Sequence, residues 1–230
     1  MHVLDNPVWH ALGGPHATVA ERFGPAARYV PEVAAFAALA DDVNADAWDA
    51  LRELVGPGGN AILAFRDVAV PDTWAVQMVM PCRQMWLRGD LAAPRTGAPA
   101  PSFERLGAAD VANMRELVKR TRPGPFFART IELGPYFGVC DEGKDLVAMA
   151  GERLHPPGFT EISAVCTDAA HRGRGLASHL VRTLVAGILD REETPILHLT
   201  IENESAHRLY SELGFETRKM VDVISVRAPA

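Results

Sequence analysis

In the second half of the chain, the apolar positions alternate between helical and strand spacing. A predicted helix within residues 103–121 carries apolar residues three or four positions apart on one side. These residues are Val111, Met114, Leu117 and Val118. Two strand-like runs follow at 136–140 and 146–153, on either side of a polar turn, and predict a hairpin. The later elements are a strand at 161–167, a helix from about residue 178, a strand at 196–201, a helix ending at Gly214 and a strand at 216–226. This order predicts one mixed α/β domain over residues 103–227.

The first hundred residues show fewer periodic segments. A helix is predicted at 46–55, where a glycine- and proline-rich stretch ends it, and strands are predicted at 61–65 and 74–80. We interpret residues 1–91 as a smaller N-terminal α/β lobe. Residues 92–102 are rich in proline and alanine without an apolar period, which indicates a linker.

Composition narrows the possible classes of protein. The chain has 230 residues, of which 48% are hydrophobic and 23% are charged. This length and hydrophobic content are enough to bury a sizeable core. It contains no apolar run long enough to span a bilayer and no signal-peptide pattern at its start, so a cytoplasmic location is expected. Cys82, Cys140 and Cys166 lack metal-ligand spacing, and no metal site is predicted. A net charge of −6 argues against nucleic acid as a partner but is compatible with a cationic amine substrate.

A glycine-rich turn at 171–177 joins a predicted strand to a predicted helix. Such a turn presents main-chain amides at the positive end of the helix dipole, where a phosphate or diphosphate can bind. A nucleotide P-loop would need a lysine after Gly175, and a dinucleotide fingerprint would need glycine or alanine at Ser178. The remaining pattern is Arg-x-x-Gly-x-Ala, formed by Arg172, Gly175 and Ala177.

A second motif follows about thirty residues later. Asn203, Ala206 and Tyr210 lie three and four positions apart on one face of a predicted helix, within Asn-x-x-Ala-x-x-Leu-Tyr-x-x-Leu-Gly-Phe. The two motifs together resemble the signatures of the GNAT superfamily of N-acetyltransferases, in a branch similar to the glycine N-acyltransferase-like proteins. The resemblance covers residues 103–227 and implies a GNAT-type acyl-CoA N-acyltransferase domain with a central, mostly antiparallel sheet. The N-terminal lobe is then interpreted as a degenerate half of the same fold without its own phosphate loop.

The resemblance also implies how acetyl-CoA would bind. The main chains of Val165, Cys166 and Thr167 would contact the pantetheine arm and supply an oxyanion donor. The diphosphate would meet the following turn and helix start: Arg172, Gly173, Arg174, Gly175, Leu176, Ala177 and Ser178. Asn203, next to Ala206 in the second motif, would bind the pantetheine arm, although asparagine is also a common helix N-cap and both roles are compatible.

Candidate catalytic and acceptor-side residues come from the second motif, from the strands before the glycine-rich turn and from the turn-rich segment at 122–130. Tyr210 stands where many family members place the acid that protonates the leaving thiolate; the alternative is a packing tyrosine. Glu161 is the candidate general base and Glu152 is the second candidate on the acceptor side; either could instead be an ordinary carboxylate, exposed or paired with an arginine. Cys166 is expected to be a buried apolar cysteine. Phe126 and Phe127 are expected either to line the acceptor pocket or to belong to a packed loop.

The expected function is direct transfer of an acetyl group from acetyl-CoA to a small-molecule or amino-acid-like amine in a ternary complex. Two alternatives stay open. One is acetylation of a protein N-terminus or lysine, and the other is a non-catalytic module that binds coenzyme A or self-associates. The sequence does not identify the acceptor, and it allows a monomer or a homodimer.

Overall fold

The computed structural model of the protein describes residues 2–93 and 102–230, so most of the predicted linker lies outside the described residues. The described strands form one sheet with the order β1-β2-β3-β4-β11-β5-β10-β9-β8-β7-β6. The strands are β1 (Ala20–Phe23), β2 (Ala26–Tyr29), β3 (Phe36–Leu39), β4 (Asn60–Ala64), β5 (Ala75–Trp86), β6 (Glu104–Leu106), β7 (Tyr136–Cys140), β8 (Leu146–Glu152), β9 (Phe159–Thr167), β10 (Thr194–Thr200) and β11 (Glu216–Arg227).

The helices lie on the two faces of this sheet. They are α1 (Pro7–Gly13), α2 (Ala45–Val55), α3 (Val111–Thr121), α4 (Leu176–Leu189) and α5 (Glu204–Glu212). The β3–β4 and β9–β10 pairs are parallel, and the other strand pairs are antiparallel. The predicted mixed α/β class with a mostly antiparallel sheet is therefore confirmed. Among the described residues, none of the helices has the length and apolar content needed to cross a membrane.

Local sequence explains where the predicted helices begin and end. The Asn44 side chain accepts a hydrogen bond from the Ala47 amide at 3.0 Å and caps α2, while Gly56, with φ 79°, ends it. Helix α4 begins two residues earlier than predicted, because Leu176 already packs into the core beneath it. The sequence patterns missed α1 and the strands β1, β2, β3 and β6, which are short.

The last strands of the two halves of the chain are exchanged. We call residues 2–93 the N half and residues 102–230 the C half. β5, the last strand of the N half, pairs with β10 of the C half, and β11 pairs with β4 of the N half. The sheet therefore runs through both halves without a break. The division into an independent lobe and domain stays a prediction.

The register of β5 and β11 is symmetric about the pair Asp222–Pro81. Glu216 pairs with Trp86 at one end and Arg227 with Ala75 at the other, and each strand has a register shift at the third residue from its own start. A local two-fold axis thus relates the halves, with Val79 equivalent to Met220. The same axis relates Val223 to Cys82. Ala64 of β4 pairs with Val223 and Thr200 of β10 pairs with Cys82, so β4 is equivalent to the end of β10.

Apolar side chains fill both faces of the sheet. In the C half, one face packs against α4 and α5, and the other packs against α3. In the N half, α1 covers one face, while Trp48 and Leu51 of α2 pack on the other. These layers hold the glycine-rich turn at the C-terminal end of the inner strand β9, where α4 begins.

Candidate active site

A crevice opens between β9 and β10. The two strands pair from Phe159–Thr194 to Ile162–Leu197 and then separate. Beyond that point, β9 stays paired with β8 as far as Thr167, and β10 stays paired with β5 as far as Thr200. Each wall of the crevice is therefore fixed by its outer neighbour, while the inner main-chain edges of the two strands no longer bond to each other.

A bulge in β9 shapes one wall of this crevice. Met149 of β8 lies opposite Cys166 and Gly151 lies opposite Ser163, so β9 carries an extra residue between them. Ala164 adopts φ 53°, in the left-handed region that residues other than glycine rarely occupy. Such bulges redirect the local main chain. Here the bulge lies next to Val165, the first of the three residues (Val165, Cys166 and Thr167) whose main chains are predicted, from the family resemblance, to supply the oxyanion donor and the pantetheine contacts.

The glycine-rich turn lies at the open end of the crevice. Gly173 and Gly175 have φ 77° and φ 75°, a conformation that favours glycine. Gly175 is the N-cap of α4 and has no side chain to cap the helix. The first amides of a helix have no acceptor within the helix, so those of α4 are available to a ligand. The predicted diphosphate residues thus converge at one helix N-terminus.

Charged residues anchor this turn and surround it. Arg120 donates from Nε to the Asp168 carboxylate at 2.9 Å, and Asp168 in turn accepts from the Ala170 amide at 3.1 Å. Arg172 donates to the Thr167 carbonyl at 3.3 Å. Arg172 and Arg174 are exposed, which makes the mouth of the crevice locally basic in a chain of net charge −6.

The second motif flanks the other wall. Asn203 is exposed, and its side-chain oxygen accepts from the Ala206 amide at 3.1 Å, so it caps α5. Its pantetheine contact stays a prediction. Tyr210 is buried against α4, and its ring meets Phe215 edge-on at 6.0 Å between centroids. Burial, together with the nearby Cys166, raises the pKa of Tyr210, so its hydroxyl is protonated at neutral pH and is a weaker acid than that of an exposed tyrosine.

Cys166 does not have the properties of a nucleophile. The side chain is buried in the core beneath α3, and burial raises the pKa of its thiol to about 11. At neutral pH it is therefore a thiol and not the reactive thiolate. The geometry agrees with the expected buried, apolar role.

The position of Glu161 argues against its use as a general base. The side chain is fully buried, and its carboxylate forms a bidentate pair with Arg153 at 2.6 and 2.8 Å. His198 Nδ1 is a further 2.7 Å away. Burial opposes the charged form, but the charges of Arg153 and His198 outweigh it and lower the pKa of Glu161 to about 2. A carboxylate this acidic, with no open side, is poorly suited to accept a proton from an amine.

The polar network around Glu161 was not recognised in the sequence. The Gln84 amide nitrogen donates to the Leu4 carbonyl at 2.9 Å and lies 3.0 Å from His198 Nε2. Its oxygen accepts from Arg218 at 2.6 Å. This orientation makes His198 Nε2 the acceptor and leaves its Nδ1–H to donate to Glu161. The available signal was a histidine within the alternating run at 196–201, flanked by apolar residues that are buried.

Glu152 ends β8 and pairs with Ile162, the last residue of β9 that is also paired with β10. Its buried carboxylate accepts two hydrogen bonds of 2.9 Å from Arg191, which follows the C-terminal end of α4. The glycine-rich turn is at the N-terminal end of this 14-residue helix, about 20 Å from Arg191 at 1.5 Å per residue. The Glu152 carboxylate is thus engaged in an ion pair with Arg191, a partner that was not expected from the sequence, and its place on the acceptor side stays a prediction.

Phe126 and Phe127 are half-buried between the halves of the chain. Phe126 meets Tyr136 edge-on at 5.5 Å, and Phe127 lines a cavity of about 220 Å³ with Tyr29 and Phe36 of the N half. Close by, Thr130 donates to the Val33 carbonyl at 2.7 Å. These contacts fit the packed-loop alternative, while the cavity beside Phe127 leaves the acceptor-pocket alternative a prediction.

Comparisons with known proteins agree with the fold. The family model described as FR47-like protein matches residues 136–223. A solved GNAT-family structure from Novosphingobium aromaticivorans is 37% identical, with a TM-score of 0.86 and coverage of 100% of both chains. The chain therefore belongs to the GNAT family.

Two other similarities are more limited. Mycothiol acetyltransferase from Brachybacterium faecium is 32% identical over 161 residues, which is 58% of this chain and 48% of that protein. The chain thus spans about half the length of this curated relative. A GCN5-related N-acetyltransferase from Kribbella flavida is 16% identical with a TM-score of 0.66, covering 96% of this chain and 93% of its own, and shows the fold alone.

Proposed function

We propose that the protein is an acetyl-CoA-dependent N-acetyltransferase acting on a small-molecule or amino-acid-like amine. The observation that carries this proposal is the uncapped N-terminus of α4 at the mouth of a crevice between two strands that have separated. Amides in this arrangement bind diphosphate, and the separated edge of β9 can hold an extended pantetheine arm. The basic side chains of Arg172 and Arg174 favour the same anionic ligand.

The reaction requires one bond to form and one to break. The amine nitrogen bonds to the acetyl carbon, the thioester C–S bond breaks, the amine loses a proton and the sulfur gains one. The redirected main chain at the Ala164 bulge offers an amide near Val165 for the developing oxyanion, and such a donor contributes about 10²–10³ in rate. Tyr210 supplies the proton to sulfur, since its hydroxyl is protonated at neutral pH.

No side chain is assigned as general base. The buried carboxylates of Glu161 and Glu152 each form an ion pair with an arginine, so we do not carry either forward in this role. An amine that reaches the crevice in its neutral form needs only to lose its proton to water after attack. On this account the rate rises with pH as the acceptor amine itself deprotonates.

Acetyl-CoA binding and free-thiol release against a panel of amines test the proposal. We expect binding by calorimetry and thiol release with at least one small amine. Binding without release from any small amine, peptide N-terminus or lysine peptide would support the non-catalytic module. Release with peptides alone would support a protein acceptor, and absence of binding would contradict every coenzyme A-based reading.

Replacing Tyr210 with phenylalanine tests the acid separately. Loss of a general acid lowers turnover by about 10²-fold, with acetyl-CoA affinity unchanged. Tyr136→Phe is the matched control, because Tyr136 is also a buried tyrosine of the C half but lies on the α3 side of the sheet. Equal turnover of wild type and Tyr210→Phe would remove Tyr210 from the mechanism.

A further inference from the structure

Within residues 2–93 and 102–230, no strand covers the outer edge of one segment of β5. Residues 75–79 extend past the end of β10, which pairs only with residues 82–86, and they are bonded on one side to β11. Apolar side chains in this segment are exposed: Val76 by 51%, Met78 by 43% and Val79 by 51%. The segment Ala-Val-Gln-Met-Val carries no charge. It therefore combines a free main-chain edge with an apolar surface.

The direction of the main-chain groups follows from Pro81. Its carbonyl accepts a hydrogen bond from the Ile201 amide at 3.2 Å, so Pro81 faces away from β11. Main-chain groups alternate in direction along a strand, and Val79, two residues away, faces outward as well. Its N–H and C=O thus point to the open side of the sheet.

The equivalent edge in the other half is protected. Residues 216–220 of β11, related to 75–79 by the local two-fold axis, include Glu216, Arg218 and Lys219. Arg218 pairs with Asp5 at 2.7 Å, and Lys219 pairs with Asp67 at 2.9 Å. Charges are a common means of preventing edge strands from pairing with other chains. The N half has no such charges at the same position.

We propose that this edge is where two copies of the chain associate, by antiparallel pairing of residues 75–79 with the same residues of a second copy. The charges at its ends fit such a pairing. At one end, Ala75 pairs with the exposed Arg227, whose Nε donates to the Gly58 carbonyl at 3.0 Å. At the other end, Pro81 bonds to Ile201, and the next residue, Glu202, is exposed. An antiparallel copy places the Arg227 end of each segment alongside the Glu202 end of the other. The uncharged middle also avoids the repulsion that a net charge of −6 imposes on most of the surface.

Sedimentation velocity over a range of concentrations tests this association. A strand pair is small beside the 1,200–2,000 Å² of a typical stable interface, so we expect reversible dimers in the micromolar range. Val79→Lys should weaken dimerisation at least about tenfold. Val79→Pro should do the same, because it removes an outward N–H and leaves the bonds to β11 in place. Arg227→Glu should weaken dimerisation, and the double variant with Glu202→Arg should restore dimerisation.

Met220→Lys is the matched control. Met220 is the two-fold equivalent of Val79 and is exposed by 48%, but it lies on the charged edge. The Met220→Lys variant should leave the dimerisation constant unchanged. Wild type that stays monomeric at every concentration would overturn the proposal, as would an equal effect of Val79→Lys and Met220→Lys. Capture of an extended apolar peptide at this edge by a monomeric wild type would likewise replace it with a peptide-binding role.

Discussion

In the N half, β4 pairs with β3 at Ile62 and Leu63, whereas the equivalent residues of β10, His198 and Leu199, have separated from β9. The same strand order thus gives a closed sheet in one half and a crevice in the other. Two local differences accompany this. The C half has the bulge at Ala164 and a helix that begins at a bare glycine. The N half has an asparagine cap on α2.

Arg66 keeps the N half closed. Its guanidinium donates to the carbonyls of Leu39 and Ala40 at 2.6 and 2.9 Å and to that of Asp41 at 2.9 Å, which holds the end of β3 in place. The loop before α2 is also acidic, with Asp41 and Asp42, and would repel a diphosphate. The comparison teaches that the fold alone does not make a coenzyme site. A bulge, two glycines and nearby arginines make it.

The largest expected effect concerns the charged network that the C half adds beside its crevice. Glu161→Gln keeps the size of the side chain but leaves the Arg153 guanidinium buried without its carboxylate. Breaking one side of a buried ion pair costs about 3–5 kcal/mol. We expect a loss of that size in the free energy of unfolding by urea titration. Glu132→Gln, in the exposed pair with Arg129, is the control and should change little.

The next effect is a pH dependence at the junction of the halves. His16 of the N half is buried 5.1 Å from His155 of the C half, between ring centroids, and burial lowers the pKa of His16 to about 4. The unfolded chain binds this proton near pH 6.5, whereas the folded protein does so only near pH 4. The free energy of unfolding should therefore fall by about 3 kcal/mol as the pH is lowered from about 6.5 to about 4. His16→Phe should flatten that fall; an equally steep fall in the variant would assign it to other groups.

A smaller effect is expected from opening the closed half. Arg66→Leu leaves three carbonyls at the end of β3 without their donor, at a cost of about 2 kcal/mol in the free energy of unfolding. Acetyl-CoA affinity should not change. Arg52→Leu is the control, because Arg52 also donates to main-chain carbonyls, those of Pro229 and Ala230, but at the surface. A larger free-energy effect of Arg66→Leu on acetyl-CoA binding than on unfolding would contradict a role of Arg66 that is confined to the structure of the N half.

Sequence patterns predicted the C half well, because long periodic segments and two spaced motifs determine its elements locally. They located the turn at Gly173 and Gly175 and the helix of Tyr210. They could not predict the exchange of β5 and β11, since strand pairing across the chain leaves no trace in local periodicity. For the same reason Glu161 was expected to be a base: its partners Arg153 and His198 come from neighbouring strands, and Phe36 and Phe65 of the N half pack beside Arg153.

The central claim is that the main-chain amides at the start of α4 bind the diphosphate of acetyl-CoA. Calorimetric titration of Gly175→Asp and Gly175→Asn tests it most directly, because both residues tolerate the positive φ and differ in charge. We expect Asp to weaken acetyl-CoA binding at least about tenfold more than Asn, a difference of about 1.4 kcal/mol. Ala45→Asp, at the start of α2 in the N half, should have no effect. Equal affinities for the two Gly175 variants would contradict the account.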